Sequence, residues 1–212
     1  MPLFDAWWKI AILIGSLGLV RLSVHYAKWM RQSARKGAIE FLDSALLALV
    51  LVFFLIRPFL LQAYYIPSDS MLPALHRGDR IIVLKFTYRL REPKRKEIVV
   101  FRAPPAAAHG DKKDFIKRVM GLGGETIAVR YNNKSGHNQL FVNGKPVKEP
   151  YLREPMAYEY PPTRVPRAML FVMGDNRNDS NDSHKWGFLP RRNLEGKAVL
   201  RFWPPSRLGL VH

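Results

Sequence analysis

Apolar residues crowd the first third of this chain and then break into short runs separated by turn residues. Residues 41–60 read FLDSALLALVLVFFLIRPFL, and the core Ser44–Ile56 carries no charge. The stretch is apolar on every face, where a buried soluble helix would show one stripe. At about twenty residues it is long enough to cross a bilayer. Arg57-Pro58 marks the exit, the arginine reaching toward head groups and the proline discouraging further regular helix. Tyr64 and Tyr65 follow, of a type that favours the interface. Residues 7–29 are a candidate earlier span. They are free of charge only over Ile10–Val20, but Trp7, Trp8, Tyr26 and Trp29 supply aromatic flanks, and Lys9 and Arg21 can snorkel. A cleaved signal peptide is the rival reading. Against it, the leading residues lack positive charge and no small-residue cleavage site follows.

Beyond residue 60 the pattern turns to β. Arg80–Lys85 (RIIVLK) and Glu97–Phe101 (EIVVF) are short β-branched runs flanked by turn residues. Residues 127–147 read as a hairpin region, with IAVRY, a polar stretch, LFV and the tight-turn pair Asn143-Gly144. Met169–Met173 and Lys197–Phe202 supply further strands. Residues 149–168 hold five prolines and read as a long irregular connection. The expected organisation is residues 1–40 with a possible first helix and a basic segment, a transmembrane helix over 41–60, and a β domain over 61–212.

Charge orients this arrangement. The segment between the two apolar stretches holds Arg21, Lys28, Arg31, Arg35 and Lys36 against Glu40 alone. By the positive-inside rule it stays in the cytoplasm, and everything beyond 60 lies across the membrane. The net charge is +17. That raises nucleic acid as a partner, but the basic residues are scattered and no helix-turn-helix or zinc-finger spacing is present. No nucleic-acid partner is expected; a basic domain tethered near anionic lipid would lie against the head groups. The chain has no cysteine, which excludes a thiol nucleophile, disulfides and cysteine-based zinc sites. His25, His76, His109, His137, His184 and His212 are dispersed without metal-binding spacing, so neither metal nor cofactor is expected.

Three segments carry candidate chemistry. In Pro67-Ser68-Asp69-Ser70-Met71-Leu72-Pro73, Ser70 stands in a proline-restrained turn a few residues past a membrane exit. A lone serine there is usually just a turn residue. Ser68, two residues earlier, shares its side in an extended segment and can donate to the oxyanion formed when Ser70 attacks a carbonyl. The Ser70 N–H is a second donor. In Phe115-Ile116-Lys117-Arg118, Lys117 is flanked by Phe115, Ile116, Val119 and Met120. A solvated lysine is the common case, but burial lowers a lysine pKa by the roughly 2–3 units that a general base near neutrality needs. The third segment, Gly174–His184 (GDNRNDSNDSH), reads as a surface loop. It fails the calcium-loop pattern, and Ser180 is placed to hydrogen-bond the lysine.

Taken together and in this order, PSDSMLPALHRGDRIIVLKF, DFIKRVMGLGGET and GDNRNDSNDSHKWGFLP resemble the bacterial type I signal peptidases, or leader peptidases, of the Ser/Lys-dyad class. The resemblance covers nearly all of residues 41–204. It implies a mixed, mainly antiparallel β-sheet catalytic domain with an apolar surface resting on the bilayer. It implies Ser70 as nucleophile, Lys117 as general base, Ser68 and Ser70 as oxyanion donors, and Ser180 and Asp182 as supports of the lysine. Ile66, Pro67, Met71, Phe115 and Ile116 would border the substrate pockets. The implied substrates are signal-peptide-bearing preproteins, cut after small residues at −1 and −3 on the extracytoplasmic side of the inner membrane. Gly123 and Glu125 depart from the family's proline and aspartate in one turn, and Ala74 stands where threonine is common. His184 occupies a position that is arginine or histidine in the family. The alternatives are a Ser/Lys peptidase maturing one dedicated substrate, a non-catalytic anchored domain binding preproteins, and a basic lipid- or nucleic-acid-binding module. A self-cleaving repressor would need a DNA-binding segment where this chain is membrane-like.

Overall fold

The computed structural model describes residues 7–27, 31–56, 60–108 and 113–211. Contacts divide the chain into an N-terminal unit, Pro2–Gln62, and a β unit, Ala63–His212.

The N-terminal unit is a pair of helices. Helix α1 runs Trp7–Tyr26, and α2 runs Gln32–Val50 before widening into a π-helical turn over Leu51–Ile56. Arg21 on α1 donates to Asp43 on α2 at 2.7 Å. Among the described residues one helix, Gln32–Phe54, is long and apolar enough to cross a membrane by length and composition, and Ala11–Tyr26 is a shorter apolar helix. Helix α2 begins well before residue 41, because Ala34, Arg35, Lys36, Ala38 and Glu40 are good helix formers regardless of their charge. Arg57, Pro58 and Trp29 lie outside the described residues.

The β unit holds two antiparallel sheets. Its strands are β1 (Leu61–Tyr65), β2 (Arg80–Leu84), β3 (Ile98–Arg102), β4 (Asp114–Gly121), β5 (Thr126–Asn132), β6 (His137–Val142), β7 (Lys145–Pro146), β8 (Tyr160–Arg164), β9 (Met169–Met173), β10 (Leu189–Pro190), β11 (Leu194–Trp203) and β12 (Gly209–Leu210). The larger sheet has the order β1-β2-β11-β3-β4-β9-β10, with β12 on β11; the smaller has the order β7-β6-β5-β8. Helices here are single turns: α3 (Thr87–Leu90), α4 (Pro105–Ala108) and α5 (Ser183–Trp186).

Alternation along the strands sorts the apolar side chains into separate cores. Ile98 and Val100 of β3 join one cluster, while Val99 and Phe101 join another on the opposite face. The first cluster gathers Tyr64, Ile81, Val83, Ala198, Val100 and Ile116 from five neighbouring strands, so the sheet curls around it, and Ile66, Met71 and Leu75 fill the hollow. A third core, with Met120, Phe171 and Met173 on one side and Ile127, Val129 and Leu140 on the other, joins the two sheets.

The Asn143-Gly144 pair makes the turn its sequence predicts, both residues at positive φ (50° and 78°), between β6 and β7. The stretch 149–168 is less irregular than expected. Tyr160–Arg164 forms β8 on the edge of the smaller sheet, where Pro161 and Pro162 withhold no hydrogen bond from a second neighbour.

Candidate active site

Segment 66–79 loops from β1 to β2 and is pinned at both ends. The Ile66 N–H donates to the Asp79 carbonyl and the Gly78 N–H to the Ile66 carbonyl, both at 2.9 Å. Met71 and Leu75 are fully buried, which plants the turn in the core and leaves the neighbouring Ser70 half-buried at its rim. The Asp79 carboxylate, itself buried, accepts from the His76 N–H and from Arg207 Nη1 at 2.9 Å. Arg201 Nη1 donates to the Ala74 carbonyl at 2.8 Å. The strand and turn at 201–207 thus clamp the serine loop.

Lys117 lies in β4, opposite Val99 of β3, and is only 4% exposed. Its Nζ donates to Ser70 Oγ at 2.7 Å. Burial lowers the Lys117 pKa from 10.5 to about 8, against the raising effect of the Asp182 and Asp175 charges. The Phe115 ring, on the same face of β4, has its centroid 5.8 Å from Nζ. Ser68 Oγ stands 3.3 Å from Ser70 Oγ, and either hydroxyl can donate. The pair foreseen from separate segments therefore meets, with a second serine, Ser68, beside it.

The loop 174–184 closes the other side. The Asn176 N–H donates to the Ser70 carbonyl at 3.1 Å, and Asn176 Nδ2 to the Asp69 carbonyl at 3.2 Å. Asp182, fully buried, accepts from the Gly174 N–H (2.9 Å) and from His184 Nδ1 (2.6 Å), and His184 stacks on Tyr158. Burial alone would raise the Asp182 carboxyl, but the hydrogen bonds from His184 and Gly174 outweigh it and hold the carboxyl below its ordinary range. One expected contact is not made. Lys117 Nζ donates to Ser70 and not to Ser180, whose Oγ is buried in the loop on the side of Asp182 and helps to hold that carboxyl down.

The expected pocket residues divide by exposure. Ile66 and Met71 are buried beneath the site, Ile116 is at the edge of burial, Phe115 is half-buried and Pro67 is exposed.

Two buried arginines, which the sequence reading passed over, hold this arrangement. Arg118, next to the lysine on β4, grips Asp175 through two hydrogen bonds of 2.7 and 2.6 Å, donates to the Lys96 carbonyl and lies 4.1 Å from the Tyr151 ring centroid. Arg177 pairs with Glu149 and donates to the Gly174 carbonyl at 3.0 Å. A signal was present in the apolar run FIKRVM, where an arginine between buried neighbours needs a carboxylate partner.

Residues 38–203 match the family model described as signal peptidase, peptidase S26. The chain is 49% identical over 157 residues to probable signal peptidase I-2 of Synechocystis sp., covering 74% of this chain and 69% of that one. It is 45% identical over 157 residues to signal peptidase I of Leptolyngbya laminosa, covering 73% and 74% of the two chains. To thylakoidal processing peptidase 1 of Arabidopsis thaliana it is 41% identical over 165 residues, 75% of this chain and 47% of that one.

Proposed function

The chain belongs to the signal peptidases of the peptidase S26 family, and from that premise we propose that it cleaves N-terminal signal peptides from exported preproteins, with Ser70 as nucleophile and Lys117 as general base. The observation that carries this reading is the 2.7 Å contact between an amine shielded from water and a serine hydroxyl at the rim of the site.

The chemistry follows from the amine's protonation. Neutral Lys117 takes the Ser70 proton as Oγ attacks the scissile carbonyl. The oxyanion accepts hydrogen bonds from the Ser68 hydroxyl and the Ser70 N–H, donors aimed at charge that develops only in the transition state. The Lys117 ammonium protonates the departing amine, which breaks the peptide bond and leaves an acyl-enzyme. Lys117, neutral again, takes a proton from water; the hydroxide adds to the ester, and Ser70 leaves with its proton restored. The Asp182 charge acts on the lysine and Ser180 acts through Asp182, while Ile66, Pro67, Met71, Phe115 and Ile116 shape pockets for small residues at −1 and −3.

Membrane placement follows from the charge pattern. The apolar part of helix α2 crosses the inner membrane, the basic residues around its N-terminal end stay in the cytoplasm, and the β unit works on the extracytoplasmic side. Tyr65, Trp203, Leu208 and Leu210 are exposed on or beside β1, β11 and β12 and form the apolar edge that rests on the bilayer. Tethering holds enzyme and preprotein in one layer and raises their effective concentration. The 41% identity to a thylakoidal processing peptidase favours a second location, a thylakoid membrane with the same sidedness; membrane fractionation followed by immunoblotting separates the two.

The direct test is to incubate the purified full chain in detergent with a preprotein and sequence the new N-terminus. Cleavage after a small-x-small motif by the wild type, and none by Ser70→Ala, is expected. An uncut preprotein, or equal cleavage by the variant, would refute the proposal.

A further inference from the structure

Outside the serine–lysine site, a cleft of about 550 Å³ opens between α3 and the start of β11. Lys85, Arg89, Arg191 and Arg192 line it. The lining carboxylate, Glu195, is engaged by Arg102 at 3.2 Å, and Arg191 is paired with the exposed Glu92. Lys85, Arg89 and Arg192 have no ion-pair partner among the described residues. The less exposed arginines of the β unit, Arg91, Arg95, Arg118, Arg177, Arg201 and Arg207, each have a carboxylate within 4 Å, whereas exposed ones such as Arg80 and Arg130 have none among the described residues. Three cations without an ion-pair partner, the half-buried Lys85 and the exposed Arg89 and Arg192, therefore line one concavity. Solvent screens their mutual repulsion in part, and an anion seated among them relieves more of it.

The chemistry of the lining says which anion. Guanidinium groups present planar forks of N–H donors that match phosphate oxygens, whereas a lone carboxylate would leave most of these donors and much of the charge unanswered. A volume of about 550 Å³ falls in the range of small-molecule sites. The cleft is also distinct from the proposed reaction centre and from the apolar edge. Leu84, Lys197, Val99 and Lys117 stand in register across the sheet, so Lys85 is three strands from the reactive lysine, about 14 Å along the sheet. Trp203 ends β11 nine residues beyond Leu194, roughly 30 Å away along the strand.

We propose that this cleft is a binding site for a phosphate-bearing anion, held by Lys85, Arg89 and Arg192 with Arg191 as a fourth donor. Two sources share that chemistry: a soluble phosphate compound and the head group of an anionic phospholipid. The distance from the apolar edge favours the soluble one.

The test uses the full chain in a non-ionic detergent at low salt, titrated with inorganic pyrophosphate in a calorimeter. One saturable site is expected, and the double variant Arg89→Ala/Arg192→Ala should weaken it by about tenfold or more. The control pair Lys134→Ala/Arg164→Ala removes the same charge from exposed positions on the smaller sheet and should leave the affinity unchanged. Both sets lie on the surface, so folding is preserved. A short-chain phosphatidylglycerol then separates the sources: displacement by pyrophosphate assigns a lipid head group, and failure to compete assigns a soluble phosphate compound. The absence of saturable pyrophosphate binding, or an equal loss in the control pair, overturns the proposal.

Discussion

Gly174 is packed so tightly against Ser180 that a side-chain carbon on the glycine would collide with the serine hydroxyl and with the Ser70 carbonyl oxygen. The Ser70 carbonyl cannot yield, because Asn176 holds it and the loop beneath it is rooted in the core. Gly174→Ala should therefore push the 174–184 loop away from the serine. Overpacking of this kind costs about 1–3 kcal/mol of stability, while kcat should fall by about 10²-fold or more through misplacement of the reacting groups. Steady-state kinetics and a urea titration check both; a kcat within threefold of wild type would show that the loop absorbs the methyl group.

Burial of Lys117 makes stability depend on alkalinity. Its folded pKa of about 8 lies below the unfolded 10.5. Below pH 8 both states hold the proton, and the folded state bears the full cost of a buried ammonium. Between 8 and 10.5 the unfolded chain keeps a proton that the folded chain has released, so stability rises with pH by about 3 kcal/mol in all. Lys117→Met should be inactive yet more stable than wild type at pH 7, and that gap should close toward pH 10. Urea unfolding at the two pH values decides it, and a variant less stable at pH 7 contradicts the account.

The same titration sets the activity profile. kcat/KM should rise with a midpoint near pH 8 as Lys117 becomes neutral. Because the Asp182 charge raises the lysine pKa, Asp182→Asn should shift that midpoint to lower pH, alongside whatever rate it loses. A pH–rate series on both proteins is the measurement, and a midpoint that moves upward would remove Asp182 from the electrostatics of the amine.

Ser68→Ala should lower kcat by about 10²–10³-fold if its hydroxyl serves the oxyanion, with KM little changed. An increase confined to KM would mean that Ser68 positions substrate instead.

Arg118 and Asp175 form a fully buried pair. Asp175→Ala strands the guanidinium and should cost about 3–5 kcal/mol. The double variant Asp175→Ala/Arg118→Met should recover part of that loss in urea unfolding, since no charge is then left without a partner.

Local signals in the sequence were enough for the short β-branched strands, the Asn143-Gly144 turn and the two segments that meet at the site. Each depends on residues within a few positions of one another. What escaped depends on distance along the chain. The partner of Arg118 is 57 residues away, so FIKRVM shows an arginine in apolar company but not the carboxylate that neutralises it. Shielding of Lys117 depends on two loops, at 66–79 and 174–184, closing over one strand, which no periodicity encodes. Tyr160–Arg164 was hidden by its prolines, which disfavour interior strands yet are harmless on an edge. Helix α2 begins earlier than the apolar boundary because hydropathy marks what can enter lipid, while propensity marks what can be helical.

The salt link from Asp79 to Arg207 spans 128 residues. On the ribosome, the turn bearing Ser70 emerges long before the basic side chains that will fasten it. Until the stretch around Arg201 and Arg207 has cleared the exit tunnel, that turn lacks three of its tethers. In a nascent copy, Ser70 is thus translated well before the side chains that fix the geometry of its turn.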